Sequence, residues 1–300
     1  MKFTVQLASA FAAVASLAQL ANAVPVLKRD VTDPQVLNYA LTLEHLEAAF
    51  YTEGLVKFTA ADFAHAGYPD WTYGRLEQIH DHEVTHVKFL TTALQTAGAQ
   101  AVDACTYKFP ISDIESFVSL ASTLESVGSA AYTGGASFVS DKNYLTAAAS
   151  ILAVEARHAA WINSAVLYGA AWDTAFQTPL SLNAVYSLAV PFITSCPDGN
   201  AAALPSLTSY PALAIEGKPG STATLNFSVQ NDGPLFVAFV SGLGTPVFQP
   251  IHNNQVAIPA DLRGYVFCFV TSSDGVLDDA TTVAGPAILN VAFDSRGNVA

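Results

Sequence analysis

The sequence predicts a mainly α protein, a four-helix bundle followed by a C-terminal all-β, sandwich-like domain. Three observations predict it. Residues 30–195 are rich in Ala and Leu, with apolar residues recurring every three or four positions, the period of a helix with one buried face. Residues 205–300 are rich instead in Val, Phe, Thr, Gly and Pro, and break into short alternating runs. Between them, Cys196-Pro197-Asp198-Gly199-Asn200 is turn chemistry. The expected division is a bundle over 30–200 and a β domain over 205–300.

The first helix is expected from a cap at Thr32 or Asp33 to about Lys57, with Pro34 in the first turn, where its missing N–H costs nothing. The second runs from about Asp70 to Ala97 and stops at Gly98. The third follows Pro110, is capped by Ser112 or Asp113 and reaches at least Tyr132, where Gly134-Gly135 weakens or kinks it. The fourth runs from about Asn143 to Gly169, and a shorter fifth covers Leu182–Ala189 before Pro191. In the second half, Thr224–Gln230 alternates strictly, which turns Leu225, Phe227 and Val229 inward and Asn226 outward. Asn231-Asp232-Gly233-Pro234 turns into a strand at Leu235–Val240, and further strands are expected at Val256–Ile258, Tyr265–Thr271 and Ala287–Phe293. This half carries no catalytic motif. Its expected role is a packing or adhesion module with contact to a cell wall or glycan.

Charge narrows the function classes. Asp and Glu number 25 against 12 Lys and Arg, giving a net charge of -13, while 51% of residues are hydrophobic. The acidity and the lack of a basic run exclude nucleic acid as a partner. The hydrophobic content excludes intrinsic disorder. With charge this scarce, any carboxylate inside an apolar helical pattern requires a physical reason.

The N-terminus predicts a secreted protein. Lys2, the uncharged apolar stretch Phe3–Leu20 and the small-x-small pattern Ala21-Asn22-Ala23 make a signal peptide over residues 1–23. Residues 24–29 form a short propeptide ending at the dibasic pair Lys28-Arg29. No later segment is long and apolar enough to span a membrane, and the polar C-terminus lacks a lipid-anchor signal. Of three cysteines, Cys105 and Cys196 lie in apparent loops, where a disulfide is geometrically easy, while Cys268 sits in a buried-looking strand. Cys105–Cys196 is therefore the expected pair. Asn226-Phe227-Ser228 is an N-glycosylation sequon.

The chemistry lies in the helices. The second helix carries Glu83-Val84-Thr85-His86 and the fourth carries Glu155-Ala156-Arg157-His158, two Glu-x-x-His motifs. Residues three apart share a helix face, so each motif offers a carboxylate and an imidazole to one centre. The first and third helices add Glu44 and Glu125 on apolar faces, each with a tyrosine two turns later, Tyr51 and Tyr132. Helices one and two thus look like a copy of helices three and four. Four glutamates converging in a bundle core are costly unless paired or metal-bound, and two divalent ions would neutralise them. Glutamate oxygens with one histidine each suit Fe or Mn, with Zn as the alternative ion.

These residues resemble the ferritin-like superfamily, and within it the secreted fungal ferritin-like proteins related to desiccation, stress-response and late sexual development proteins. The segments that carry the resemblance are Leu-Glu-His-Leu-Glu-Ala-Ala-Phe-Tyr (43–51), His-Glu-Val-Thr-His (82–86), Val-Glu-Ala-Arg-His (154–158) and Phe-Ile-Thr-Ser-Cys-Pro (192–197). The resemblance covers about residues 33–200 and implies Glu44 and Glu125 as single-helix ligands, with Glu83/His86 and Glu155/His158 as paired ones.

Glu47, one turn after Glu44, is a candidate extra ligand; Glu77-Gln78-Ile79-His80 is a second Glu-x-x-His on the second helix, and its Glu77 is expected to face solvent. His80 and His82 lie near the Glu83 direction as groups behind the ligands. Tyr51 and Tyr132 either bond ligand carboxylates, carry an electron, or are core tyrosines with one wet end. Three functions compete: a metal-binding protein of stress, desiccation or development; a diiron or dimanganese oxidoreductase using dioxygen or peroxide; and a metal-free structural or wall-associated protein. An appended C-terminal domain argues against a closed ferritin shell.

Overall fold

The computed structural model describes residues 31–229 and 233–299. The expected signal peptide, the dibasic pair and the turn residues Asn231 and Asp232 lie outside the described residues.

Four long helices form the first part: α1 (Asp33–Lys57), α3 (Trp71–Thr96), α4 (Ile114–Gly135) and α5 (Lys142–Trp161). A short α2 (Ala60–His65), not anticipated from sequence, joins α1 to α3 and drives Phe63 into the core. Local chemistry sets the starts. The Thr32 amide donates to Gln35 Oε1 at 3.0 Å, and Asp113 accepts from the Ser116 amide at 2.8 Å. Asp141 accepts from the Asn143 amide at 2.7 Å, and Asp33 bridges back to the amides of Ser140 and Asp141. The Glu-bearing helices are thereby pinned to one another at that end of the bundle.

One expectation about helix ends holds and one is corrected. The α4 helix passes Tyr132 and gives way at Gly135, where the glycine pair was expected to weaken it, to a 3-10 turn at Ala136–Phe138. A Cβ at Gly134 would sit 1.8 Å from the Leu180 carbonyl oxygen, so glycine is there to let the 178–182 segment cross the helix. The fourth helix stops at Trp161 rather than Gly169 and passes into a π turn at Ile162–Val166. The Leu167 amide closes that turn on the Ile162 carbonyl at 2.9 Å, and Asn163 accepts a short hydrogen bond from Ser122 of α4.

After α6 (Leu182–Ala189), strand β2 (Ile193–Ser195) pairs antiparallel with β1 (Thr106–Tyr107). The Cys105–Cys196 disulfide flanks this ribbon and staples the α3–α4 connection to the chain leaving α6. A single turn, α7 (Asn200–Ala203), leads to the β region.

That region has two antiparallel sheets. One orders β3 (Leu213–Glu216), β4 (Thr222–Phe227) and β7 (Gln255–Ala257). The other orders β6 (Val247–Pro250), β5 (Phe236–Val240), β8 (Gly264–Thr271) and β9 (Thr282–Val291). Strands β3 and β6 are additions to the sequence reading. β9 starts earlier than expected, because its pairing to β8 continues across Gly285-Pro286 through a register shift. As expected, Leu225 is buried and Asn226 exposed.

Strand β8 is buried at every residue. Val266, Cys268 and Val270 face the sandwich core with Leu225 and Val256. Phe267 and Phe269 join a different cluster, with Tyr39 of α1, Val127 and Ala130 of α4, and Val185 of α6. The helical and β regions therefore share a core, and the Tyr265 hydroxyl meets Ser122 Oγ at 2.6 Å across the same seam. This double burial explains why Tyr265–Val270 is an unbroken apolar run.

Replacing Phe267 by alanine should cost roughly 3–5 kcal/mol. The loss should appear in the helical circular-dichroism melt as well as in the β signal. An unchanged helical melt would show that the shared core does not couple the regions.

Candidate metal centre

The two Glu-x-x-His motifs and the two single glutamates meet in the bundle core. Their donor atoms form two groups, Glu44/Glu83/His86/Glu155 and Glu83/Glu125/Glu155/His158, each with ligand atoms within 4.8 Å of one another. Glu83 and Glu155 belong to both groups. Glu44, Glu83, Glu125 and Glu155 are all 0% exposed, and Glu47 is 4% exposed. Five carboxylates thus share one water-poor space.

Hydrogen bonds fix the donors with an internal duplication. The Tyr51 hydroxyl, on α1, donates to Glu125 Oε1 of α4 at 2.5 Å, and the Tyr132 hydroxyl, on α4, donates back to Glu44 Oε1 of α1. The second oxygen of each carboxylate faces a histidine: Glu44 Oε2 lies 3.1 Å from His86 Nδ1, and Glu125 Oε2 lies 3.1 Å from His158 Nδ1. His86 Nδ1 is also 3.0 Å from Glu83 Oε2. One imidazole N–H cannot satisfy several carboxylates at once.

The shortfall is visible. Glu83 Oε1 and both oxygens of Glu155 are buried with no hydrogen-bond partner among the described residues. His158 Nδ1 and His86 Nδ1 come within 3.2 and 3.4 Å of Glu83 Oε1 and Glu155 Oε1, close enough for Coulomb attraction but without hydrogen-bond alignment. Orphaned buried carboxylate oxygens are expensive, and a cation between them removes the cost. The donor set therefore fits a pair of divalent ions.

Other expected residues divide. His82 Nδ1 lies 2.9 Å from His158 Nε2, with the two rings stacked, so it holds His158 from behind. His80 instead meets Thr52 Oγ1 at 3.0 Å and does not touch the cluster, and Glu77 is exposed. Glu47 enters the core beside the others. Gly128 was passed over in the sequence. A Cβ there would lie 2.7 Å from Glu155 Oε2 and 3.0 Å from Glu47 Oε1, so its missing side chain makes room for two carboxylates. The available signal was a glycine one turn after Glu125, on the same helix face.

Protonation follows from burial and contact. Burial pushes the Glu44 carboxyl up to about 7 despite its bond to His86, and burial beside neighbouring carboxylates pushes Glu47 and Glu155 well up. Burial also raises Glu125. Glu83 goes the other way, to about 2, because contacts with both histidines outweigh its burial. Hydrogen bonds to glutamates overcome burial to raise His86 to about 10 and His158 to about 9.

Known proteins agree with this architecture. Residues 32–167 match the ferritin-like domain family. That match falls on the helical region that carries the buried Glu/His cluster. Among individual relatives, Protein rds1 of Schizosaccharomyces pombe is 30% identical over 201 residues, 65% of this chain and 47% of that protein. The chain spans about half the length of the curated relative it matches.

In metal-free protein the raised carboxyls keep protons that the unfolded chain gives up, so folding stability falls as pH rises above their unfolded value of 4.5. The histidine contribution is complete below 6.5, declines as pH rises above that value and is gone once pH passes 9 to 10. Glu83 contributes above 4.5 and loses that contribution as pH falls toward 2. The thermal midpoint of chelator-treated protein should therefore decline from about pH 5 to about pH 8. The increment from added metal should grow over the same interval, since metal displaces those protons. Scanning calorimetry with and without metal checks both slopes, and a rising metal-free midpoint would contradict them.

Proposed function

We propose that this chain is a secreted ferritin-like protein that holds two divalent transition-metal ions, iron or manganese, in its bundle core, and serves a stress, desiccation or developmental role. One observation carries the metal centre. Glu83 and Glu155 belong to both donor groups, yet three of their four oxygens are buried without a hydrogen-bond partner among the described residues. Glu44 with His86 would hold one ion and Glu125 with His158 the other, with Glu83 and Glu155 shared. All-oxygen-and-imidazole ligation suits iron and manganese. Bound there, the ions would supply Lewis acidity and redox capacity.

The chain's own residues do the positioning. Tyr51 and Tyr132 each tether one oxygen of a terminal carboxylate and leave the other turned toward a histidine. His82, through Nδ1, keeps the Nδ1 edge of His158 toward the carboxylates. Burial of every carboxylate excludes bulk water. Secretion is supported by the Cys105–Cys196 disulfide, a feature of oxidising compartments, and by the exposed sequon residue Asn226. The developmental or stress role rests on the resemblance of segments 43–51, 82–86, 154–158 and 192–197 to secreted fungal proteins of that kind.

Elemental analysis of untagged secreted protein should find about two Fe or Mn per chain. The Glu83→Ala/His86→Ala double variant should lose that metal and keep its helical signal. Wild-type protein that takes up no transition metal on reconstitution, and melts identically in chelator, would sink the proposal.

A further inference from the structure

The internal duplication of the cluster breaks beside its histidines. His82 immediately precedes Glu83 on α3, and Val154 immediately precedes Glu155 on α5. His82 Nδ1 lies 2.9 Å from Nε2 of His158 on α5, with the two ring planes 9° apart. The same crosswise relation would bring residue 154 of α5 behind His86 of α3. The valine at that position offers neither donor nor acceptor. Among the described residues, the hydrogen-bond contacts of His86 are made by Nδ1, to Glu44 and Glu83, and none by Nε2.

This difference bears on ligand chemistry. His158 turns Nδ1 toward Glu125 Oε2 and Glu83 Oε1, so Nδ1 is the nitrogen that would meet an ion. A neutral His158 with Nδ1 free carries its proton on Nε2, where it donates to His82 Nδ1. A partner of this kind fixes the tautomer and orientation of a ligating imidazole and makes its free nitrogen more basic. His86 turns Nδ1 toward its carboxylates in the same way but lacks the partner, so its orientation rests on those carboxylates alone.

A second break in the duplication does not select between the positions. Glu47 follows Glu44 at the spacing at which Gly128 follows Glu125. The Glu47 carboxylate borders the same point as Glu155 Oε2, and Glu155 belongs to both donor groups. The asymmetry between the two positions therefore lies behind the histidines.

We propose that the two metal positions are inequivalent: the one at Glu125 and His158 fills first and holds its ion more tightly, and His82 is the positioning residue that sets this order. The proposal rests on the metal-centre reading above. Loss of such a partner costs about 10–100-fold in metal affinity, so limiting metal would occupy mainly the backed position.

Mn(II) is the probe. Crystals of full-length chain given one Mn(II) per chain should show a strong anomalous peak beside Glu125 and His158 and a weak one beside Glu44 and His86. His82→Val should weaken binding of the first ion about 10–100-fold and make the two peaks equal, with the helical signal unchanged. His82→Asn, whose side-chain oxygen accepts the same hydrogen bond, should keep the wild-type order. The His82→Val/Val154→His pair should reverse it, which a merely structural role for His82 would not do. If His82→Val fails to fold, Val154→His alone decides, because it should bring the two peaks together and an unchanged ratio overturns the proposal. Equal peaks in the wild type, or a stronger one beside Glu44 and His86, overturn the proposal and leave the metal-centre reading standing. A wild-type order that persists in His82→Val overturns the role of His82. No Mn(II) at either position, even in excess, removes the metal-centre reading and the proposal with it.

Discussion

Glu83 contacts both histidines, His86 at 3.0 Å and His158 at 3.2 Å, and alone among the five core carboxylates has its pKa pushed down. Around it, Glu44, Glu47, Glu125 and Glu155 are held in a space that disfavours their charge. A bundle core of leucine and alanine would need none of them. Five ionised carboxylates against two histidines would leave a negative excess; without metal, protons held on the raised carboxyls offset it, and divalent ions would take their place. The crosswise tyrosine bonds, the stacked His82–His158 pair and the glycine at 128 all serve that concentration of charge.

The duplication in the sequence has a structural counterpart. Helices α1 and α3 supply Glu44 and Glu83/His86, and α4 and α5 supply Glu125 and Glu155/His158. Each half's tyrosine reaches the other half's glutamate, so neither half is complete alone. The capping contacts from Asp33 to the start of α5 tie the halves at one end. The shared apolar cluster, reaching Phe267 and Phe269 of β8, adds a third body to the same core. The β region therefore packs against the bundle through this cluster.

Much of this was legible in the residues, for identifiable reasons. Helices with clear start signals, the long Asp33–Lys57 and the short Leu182–Ala189, appear where local chemistry placed them. The Glu-x-x-His motifs stood out because so few other charges interrupt the apolar helical faces. What stayed hidden depends on tertiary contact. The end of α5 is set by a π turn, where Asn163 bonds Ser122 across helices. The tolerance of Gly134 is set by the crossing of Leu180. Strands Leu213–Glu216 and Val247–Pro250 are too short to show a period, and are defined by their partners. The role of Gly128 follows from the two carboxylates its missing Cβ makes room for, of which the sequence offers only the hint of a glycine one turn after Glu125.

The most direct test of the central claim is anomalous X-ray diffraction from crystals of protein reconstituted with Mn(II) or Fe(II), collected at the metal's absorption edge. The account predicts two anomalous peaks in the bundle core. One should fall among Glu44, Glu83, His86 and Glu155, and the other among Glu83, Glu125, Glu155 and His158. A core without anomalous density, or metal found only on exposed carboxylates, would contradict it.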